Sequence, residues 1–264
     1  MTLNFYVIGY ELTKYLLMLE KLNYLYFTQN EKKLEYNIKI KINGQRIFPS
    51  SSVKYLGLYV DEYLEWSKHC DVLSPKLSRA LGMLSRIRHF VPKETLHNIY
   101  HAIFSSILNY GSIVWGQKSN NSVQRIEKLQ NRALRVLNFA QFQAHSMPLY
   151  QNSKIIKFLD TVKMKNLCLI HDYFNKMMPL VLREWFEFTP SEDLHQYPST
   201  GANLFKLKVP KIKSVTYGEY SIAFQSIKNW NNFVINFPEI NFKSITKSKL
   251  KDIIFDHFLN SYIK

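Results

Sequence analysis

Hydrophobic and β-branched residues alternate with polar ones in the first quarter of the chain, and this pattern predicts β-strands. Residues 36–42 alternate apolar and polar side chains, which is typical of a strand with one buried face. Asn43 and Gly44 follow, and because both tolerate a positive φ they predict a hairpin with a return strand over residues 46–48. Residues 53–60 predict a further strand, in which the interior Gly57 indicates a bulge or a close approach of another backbone segment.

From residue 74 onward the apolar residues recur every three or four positions, which predicts helices. Ser74 is a good N-cap and Pro75 suits the first helical position, so the first helix is expected to begin there. A second helix, apolar on most sides, is predicted over residues 93–115, and Asn120 predicts the cap of a third. Further helices are predicted over residues 155–175, 217–233 and 244–262.

These elements predict an α+β fold that is predominantly α. A small N-terminal β-hairpin or sheet precedes a helical middle and a helical C-terminal extension. Residues 204–213 alternate apolar side chains with lysine, but Pro210 restricts them to an edge strand or an extended arm. The predicted divisions are 1–73 for the β-rich part, 74–188 for the main helical part, 189–203 for a linker and 204–264 for the extension.

Composition makes nucleic acid the expected partner. The 264 residues include 35 lysines and arginines against 20 aspartates and glutamates, a net charge of +15 at pH 7. Such an excess favours a polyanion, with nucleic acid ahead of an anionic membrane. Residues 95–116 lack charged side chains, but their histidines, asparagines and serines would be costly in lipid. A helix buried in protein is the better interpretation, and no membrane partner is expected.

Two cysteines, Cys70 and Cys168, are too few for a disulfide framework or a cysteine-based zinc site. The apolar N-terminus carries no basic leader, and Glu11 and Lys14 interrupt its apolar run, which argues against a signal peptide. The expected location is the nucleus or the cytoplasm, and secretion is not expected.

Two rows of cations fall on predicted helix faces. Spacings of three and four bring side chains to one face of a helix, where like charges repel one another. Such a row becomes useful against phosphates, because release of counterions supplies affinity. A solvated charged face with no partner is the alternative interpretation. The first row is Lys76, Arg79 and Arg86, and the second is Arg125, Lys128, Arg132 and Arg135.

The chain carries no self-sufficient active site. His97 and His101 have the i, i+4 spacing of helical metal ligands, but no glutamate lies between them and no third ligand is evident. Gly-rich phosphate loops, nucleophile elbows and paired-carboxylate motifs are also missing from the sequence. No metal site and no small-molecule substrate are therefore expected.

Four stretches of the chain together carry a family resemblance. The first is Lys21 with the six residues after it, and the second is residues 53–60 with Trp66 and His69. The third is residues 109–116 with 126–135, and the fourth is residues 203–210 with Tyr217, Gly218, Ser221, Trp230 and Asn231. In this order they resemble the end of the palm, the thumb and the tail of reverse transcriptases from non-LTR (LINE-type) retrotransposons. By that resemblance the first stretch is similar to motif D of these polymerases, with Leu22 where the family has threonine, and residues 53–60 are similar to the palm hairpin implicated in gripping the primer terminus.

The resemblance implies an origin in an RNA-directed DNA polymerase. In an intact family member, Mg²⁺ or Mn²⁺ held by palm aspartates would activate the primer 3′-hydroxyl. Those aspartates belong to a Tyr-any-Asp-Asp element that should lie upstream, and no two adjacent aspartates occur in these 264 residues. The expectation is a fragment that needs no cofactor and does not catalyse polymerisation by itself.

The partner implied by the resemblance is an RNA–DNA or RNA duplex, bound through the two rows of cations. The palm and fingers segment of the family is a second candidate partner. Two alternatives are open: a protein-interaction remnant with no nucleic-acid role, and an active reverse transcriptase completed by upstream sequence. Lys21 would be the motif D lysine, and the primer grip would be formed by Tyr55, Leu56 and Gly57.

Overall fold

The computed structural model describes residues 23–25, 27, 40–42, 45–186, 205–212, 218–238 and 240–262. Its fold is α+β and predominantly α, as the sequence pattern predicts. The strands are β1 (Asn23–Tyr24), β2 (Ile40–Ile42), β3 (Gln45–Pro49), β4 (Ser52–Tyr55) and β5 (Leu58–Asp61). The helices are α1 (Ser67–Ile87), α2 (Lys93–Ile99), a π-helical segment (Tyr100–Ser105), α3 (Ser106–Asn109), α4 (Ser112–Trp115), α5 (Asn121–Leu137), α6 (Ser146–Asn152), α7 (Phe158–Phe174), α8 (Leu180–Arg183), α9 (Ile222–Ile235) and α10 (Lys247–Ser261).

The chain divides into two compact units, Met1–Lys68 and His69–Lys264. In the first unit, β3 is the centre of a three-stranded sheet, with β1 parallel on one side and β2 antiparallel on the other. Ile42 is paired with Gln45, and this antiparallel register confirms the predicted hairpin. The turn predicted at residues 43–44 itself lies outside the described part of the chain.

β4 and β5 form a second hairpin, which corrects the single strand predicted from the sequence pattern over residues 53–60 and agrees with the hairpin that the resemblance implies there. Val53 lies opposite Val60, and Leu56 and Gly57 form the turn between the strands. Both turn residues have a positive φ, 45° and 82° respectively. Positive φ at both central positions defines a type I′ turn, which matches the twist of the paired strands. Gly57 is therefore a turn residue and not a bulge.

Asp61, at the end of β5, organises the turn that leads into α1. Its buried carboxylate accepts hydrogen bonds from the backbone N–H groups of Glu65 (2.8 Å) and Trp66 (2.7 Å). Trp66 has a φ of 59°, and α1 begins at the next residue, Ser67. These side-chain bonds replace the hydrogen bonds that the turn cannot make within regular structure.

Ser74 and Pro75 lie inside α1, so the prediction that the helix begins there was wrong. The Ser74 hydroxyl does not cap the helix; it donates to the carbonyl of Cys70, one turn earlier, at 2.7 Å. The buried face of α1 continues across the proline from Leu73 to Leu77. Burial of this face outweighs the backbone hydrogen bond lost at Pro75, because tertiary packing supplies most of the stability of a helix.

The second predicted helix is interrupted near its end. α2, the π-helical segment and α3 are continuous from residue 93 to residue 109. Tyr110 is then extended, and Gly111, with a φ of 57°, turns the chain into α4, so the prediction of one helix over residues 93–115 was wrong at this point. Within the described ranges, no helix is both long and apolar enough to cross a membrane.

The two predicted closing helices are present as α9 and α10, and they pack with α7 around the buried Trp230. The indole N–H of Trp230 donates to the carbonyl of Phe205 at 2.8 Å. Residues 205–212 form no strand of either sheet, although Leu207 makes an isolated β-bridge, and the side chain of Asn231 bonds both the N–H and the carbonyl of Leu207. Helices α6 and α8 were not predicted, and the predicted linker lies outside the described residues.

Candidate nucleic-acid interface

Helices α1 and α5, which carry the predicted cations, lie side by side and run in the same direction. Near the first turns of the two helices, Nη2 of Arg125 donates to Oδ1 of Asp71 at 2.7 Å. Near their last turns, Ser85 of α1 and Arg132 of α5 line the same cavity. The order of these two contacts along both helices fixes their parallel alignment.

Two polar side chains set the start and the rotation of α5. Asn120 begins the helix as predicted, because its side chain accepts a hydrogen bond from the backbone N–H of Val123 at 3.0 Å. Gln130 is buried, and its Nε2 donates to the carbonyl of Ile156 at 3.1 Å. The Oε1 atom of Gln130 accepts from the backbone N–H of Phe158 at 2.8 Å. Because Gln130 lies on the helix face opposite the cations, these bonds turn the cations outward.

The second row of cations lies along α5 at the spacing read from the sequence. Arg125, Lys128 and Arg132 are exposed. Arg135 is half-buried, and its Nε donates to the carbonyl of Ala144 at 2.9 Å. The structure therefore brings these four side chains to one side of a single helix.

The first row of cations lines an open groove beside α1. Lys76, Arg79 and Arg86 are exposed along one edge of this groove, whose volume is about 840 Å³. Ile103 of the π-helical segment and Ile107 of α3 lie on its opposite wall. The groove therefore has cations along one edge and apolar side chains on the opposite wall.

The two rows do not form one continuous surface, because the exposed ridge of α1 separates them. At about 100° per residue, Arg79 and Arg86 lie to one side of this ridge, and the cavity shared with α5 lies to the other. The ridge itself carries three small, exposed residues: Ser78, Gly82, which also borders the groove, and Ser85, which also borders the cavity. A Cβ added at Gly82 would meet no atom within 4 Å, so packing inside the chain does not require glycine there.

Arg88 is a cation of this region that spacing alone missed. It directly follows α1, and its distance of two positions from Arg86 places it on a different side of the helix. Its guanidinium lies over the ring of Phe139, 5.6 Å from the ring centroid. Together with Arg132 and Arg135 it lines the cavity of about 450 Å³ between α1 and α5. No spacing rule joins Arg88 to α5, because the contact depends on how the two helices pack.

Most of the positive charge at this surface has no acidic partner. The Arg125–Asp71 pair is half exposed on both sides, and no other cation of the two rows is paired with a carboxylate in the part of the chain that the structure describes. Burial, and secondly the charge of Lys76, lower the pKa of His69 to about 4. His69, which packs 5.1 Å from the Trp115 ring, is therefore neutral at pH 7.

The residues of the predicted primer grip form the tip of the β4–β5 hairpin in the first unit. Tyr55 and Leu56 are 68% and 73% exposed, and Gly57 completes the turn. Their role at a primer terminus stays a prediction. Lys21, the motif D lysine of the resemblance, lies outside the described residues.

The described residues do not present a site for the metal ions of an intact polymerase. They contain no group of three histidine, cysteine, aspartate or glutamate side chains that could hold a metal ion. His97 and His101 have lowered pKa values, in both cases chiefly because of burial. The carboxylate of Asp61 is engaged by backbone N–H groups.

Part of the chain is similar to curated retrotransposon proteins. Over 115 residues it is 25% identical to the probable RNA-directed DNA polymerase from transposon X-element of Drosophila melanogaster. The matched region is 42% of this chain and 13% of that protein. Over 129 residues it is 26% identical to the RNA-directed DNA polymerase from mobile element jockey of the same species. This match covers 47% of this chain and 14% of that protein. Over 101 residues it is 30% identical to the retrovirus-related Pol polyprotein from type-1 retrotransposable element R1 4 of Nasonia vitripennis. This match covers 37% of this chain and 26% of that protein.

The matched region thus spans about a quarter or less of the length of each of these relatives. No protein-family model matches the chain, and no solved structure matches it significantly. The matches nevertheless agree with the resemblance that the sequence motifs carry: part of the chain is similar to the RNA-directed DNA polymerases and Pol polyproteins of retrotransposons.

Proposed function

We propose that this reverse-transcriptase fragment binds an RNA–DNA or RNA duplex through α1 and α5 and does not catalyse polymerisation by itself. The observation that carries the proposal is the ridge of small residues on α1, which has cations on both of its sides. Arg79 and Arg86 lie on one side, and Arg132 and Arg135 lie on the other. The names of the relatives, all polymerases or polyproteins of mobile elements, support the same class of partner.

The ridge and its cations suit the minor groove of an A-form duplex. That groove is wide and shallow, and proteins contact it by shape and through the sugars and phosphates along its edges. At Gly82 the backbone of α1 can approach the floor of the groove, because no side chain stands between them. Arginines on the two sides of the ridge then face the phosphates of both strands, where counterion release supplies affinity.

The proposed lack of catalysis follows from the carboxylates that are absent from the sequence. Two-metal polymerisation needs acidic side chains that hold the ions near the primer terminus, and no adjacent aspartates are present. In primer extension on an RNA template with Mg²⁺ or Mn²⁺, we expect no incorporation above a control without protein. Incorporation that co-purifies with the chain through successive columns would show that the proposal is wrong.

Salt-dependent binding tests the proposed duplex interaction. The affinity for a fluorescein-labelled RNA–DNA hybrid should fall with salt, with a log–log slope of roughly −3 to −5 if about four or five phosphates are neutralised. Fluorescence anisotropy at a series of salt concentrations measures the slope. A slope near zero would assign the cations to a solvated face and contradict the proposal.

Protein interaction is the competing function, and exposed apolar side chains around α8 favour it. Leu180 and Val181 of this helix are 73% and 74% exposed, and Trp185, which follows it, is 49% exposed. Isolated exposed apolar residues are ordinary, but neighbouring ones mark interaction surfaces. Sedimentation velocity over a range of concentrations distinguishes the two functions: self-association without salt-dependent hybrid binding would favour this alternative.

A further inference from the structure

The cavity between the last turns of α1 and α5 has the composition of a nucleotide site. Arg88, Arg132 and Arg135 line its volume of about 450 Å³, and none of its lining residues is acidic. Apolar groups, among them Val136, form part of its lining, and Phe142 stands at its edge with 74% of its surface exposed. We call this cavity the arginine pocket.

Two of the three arginines are oriented by bonds that leave their terminal nitrogens available. Nε of Arg135 donates to the carbonyl of Ala144 at 2.9 Å, and Nε of Arg88 donates to Nε2 of His89 at 2.9 Å. The Nη groups of an arginine form a planar fork that matches two oxygens of a phosphate. Three such groups around one cavity repel one another, and a bound anion removes that repulsion.

Phe139, which precedes the lining residue Ala140, has a strained backbone conformation. Its φ is 53°, and it stands just beyond the end of α5, at the position of a Schellman motif where glycine is usual. The two hydrogen bonds of this motif run from the N–H of Phe139 to the carbonyl of Val136 and from the N–H of Ala140 to the carbonyl of Arg135. A bulky residue in this region is an outlier that persists only where other contacts hold it. Here the Phe139 ring lies under the guanidinium of Arg88, which connects the end of α5 to the end of α1.

We propose that the arginine pocket binds one unpaired nucleotide of a single strand, with its phosphate on the arginines and its base on the ring of Phe142. The inference rests on the proposed duplex binding: Arg132 and Arg135 contribute to both contacts, whereas Arg88 and Phe142 belong to the pocket alone. Bases inside a duplex are stacked on both faces, so, apart from the outer face of a terminal pair, an unpaired base is what offers a free face to Phe142. The volume of the pocket lies within the range of small-ligand sites.

Two probes test the inference: a blunt RNA–DNA hybrid and the same hybrid with a single-stranded extension. We expect the full chain to bind the extended probe about tenfold more tightly than the blunt one, since stacking of one base on an aromatic ring contributes on this scale. In the variants Phe142→Ala and Arg88→Gln the two probes should bind with equal affinity. Arg86→Gln is the matched control, because it removes one arginine from the same region, outside the pocket, and should weaken both probes equally. Phe142 is exposed, so its replacement leaves the packed core intact.

A 2-aminopurine base in the extension gives a second readout, because stacking on Phe142 should quench its fluorescence in the parent chain and not in Phe142→Ala. Equal, salt-dependent affinities for the two probes would overturn the pocket inference and leave the duplex proposal in place. A preference for the extended probe that survives both substitutions would also overturn the pocket. Failure to bind either probe would overturn both proposals, whereas binding of the extended probe alone would overturn only the duplex proposal.

Discussion

The hydroxyl of Tyr262 donates to Oδ2 of Asp160 at 2.6 Å and accepts from the backbone N–H of Lys157 at 3.0 Å. Tyr262 directly follows α10, whereas Lys157 and Asp160 lie at the start of α7. Burial, and then the hydrogen bond to Asp160, raise the pKa of Tyr262, so its hydroxyl keeps its proton. These two bonds therefore connect the C-terminal end of α10 to the start of α7 within one compact unit.

Removing this hydroxyl should destabilise the second unit. We expect Tyr262→Phe to lower the free energy of unfolding by about 1–3 kcal/mol, because the buried carboxylate of Asp160 loses a donor. Urea denaturation followed by circular dichroism measures the change. Tyr55→Phe, on an exposed side chain, is the control and should have little effect. An equal loss in both variants would show that the Asp160 contact does not stabilise the fold.

Gly82→Ala should separate stability from binding. Alanine is better than glycine in a helix interior by about 0.5–1 kcal/mol, and a Cβ at this position meets no other atom. We therefore expect a more stable protein that binds the hybrid several-fold more weakly, because the added methyl group keeps the duplex away from the ridge. Thr95→Ala, an exposed position in α2, is the control for binding. Higher stability with undiminished affinity would rule out close approach at the ridge.

Charge removal on α5 should change the salt dependence of binding. The double variant Arg132→Gln/Arg135→Gln should reduce the log–log slope by about two and weaken all sequences alike, because phosphate contacts carry no sequence information. Lys249→Gln/Lys251→Gln removes two exposed charges from α10 and should leave the slope unchanged. If both double variants changed the slope equally, net charge and not the row on α5 would govern binding.

His69 makes the fold sensitive to acid. The pKa of His69 is about 4 in the folded protein and 6.5 in the unfolded chain. As the pH falls, His69 therefore takes up a proton in the unfolded chain before it does so in the folded protein. The stability this group contributes is therefore complete above pH 6.5 and is lost as the pH falls towards 4. Between pH 7 and pH 5 the loss is about 1–2 kcal/mol.

His69→Phe keeps an aromatic ring against Trp115 and removes this titration. Urea denaturation at pH 7 and pH 5 should show a smaller difference in unfolding free energy for this variant than for the parent chain. His145→Phe, at the start of α6, is the matched control and should keep the parental difference. A pH dependence unchanged in His69→Phe would mean that His69 does not titrate differently in the folded state.

Lys21 is expected to be dispensable. In the family the matching lysine would assist proton transfer during nucleotide addition, a role that requires the metal site. Lys21→Ala should leave hybrid binding and the free energy of unfolding within about 1 kcal/mol of the parent values. A larger loss in either measurement would reveal a structural or binding role for this side chain.

Features that depend on neighbouring residues in the chain were predictable. The Asn120 cap needs only the backbone three residues later, and the row from Arg125 to Arg135 needs only the period of a helix. The glycine of the second hairpin was misread as a bulge, because alternation over residues 53–60 does not show where a chain reverses direction. The interruption at Tyr110 was missed for a similar reason, since apolar residues continue across it.

The excess of positive charge, the class of fold, the spacing of the cations along each helix and the similarity to retrotransposon polymerases could all be read from the chain alone. Three features depended on packing: α1 begins before Ser74, α1 runs parallel to α5, and Arg88 lines the same cavity as Arg132. The difference lies in the range of the interactions. Caps and helix periods involve atoms a few residues apart, whereas helix packing depends on the burial of apolar faces that lie far apart in the chain.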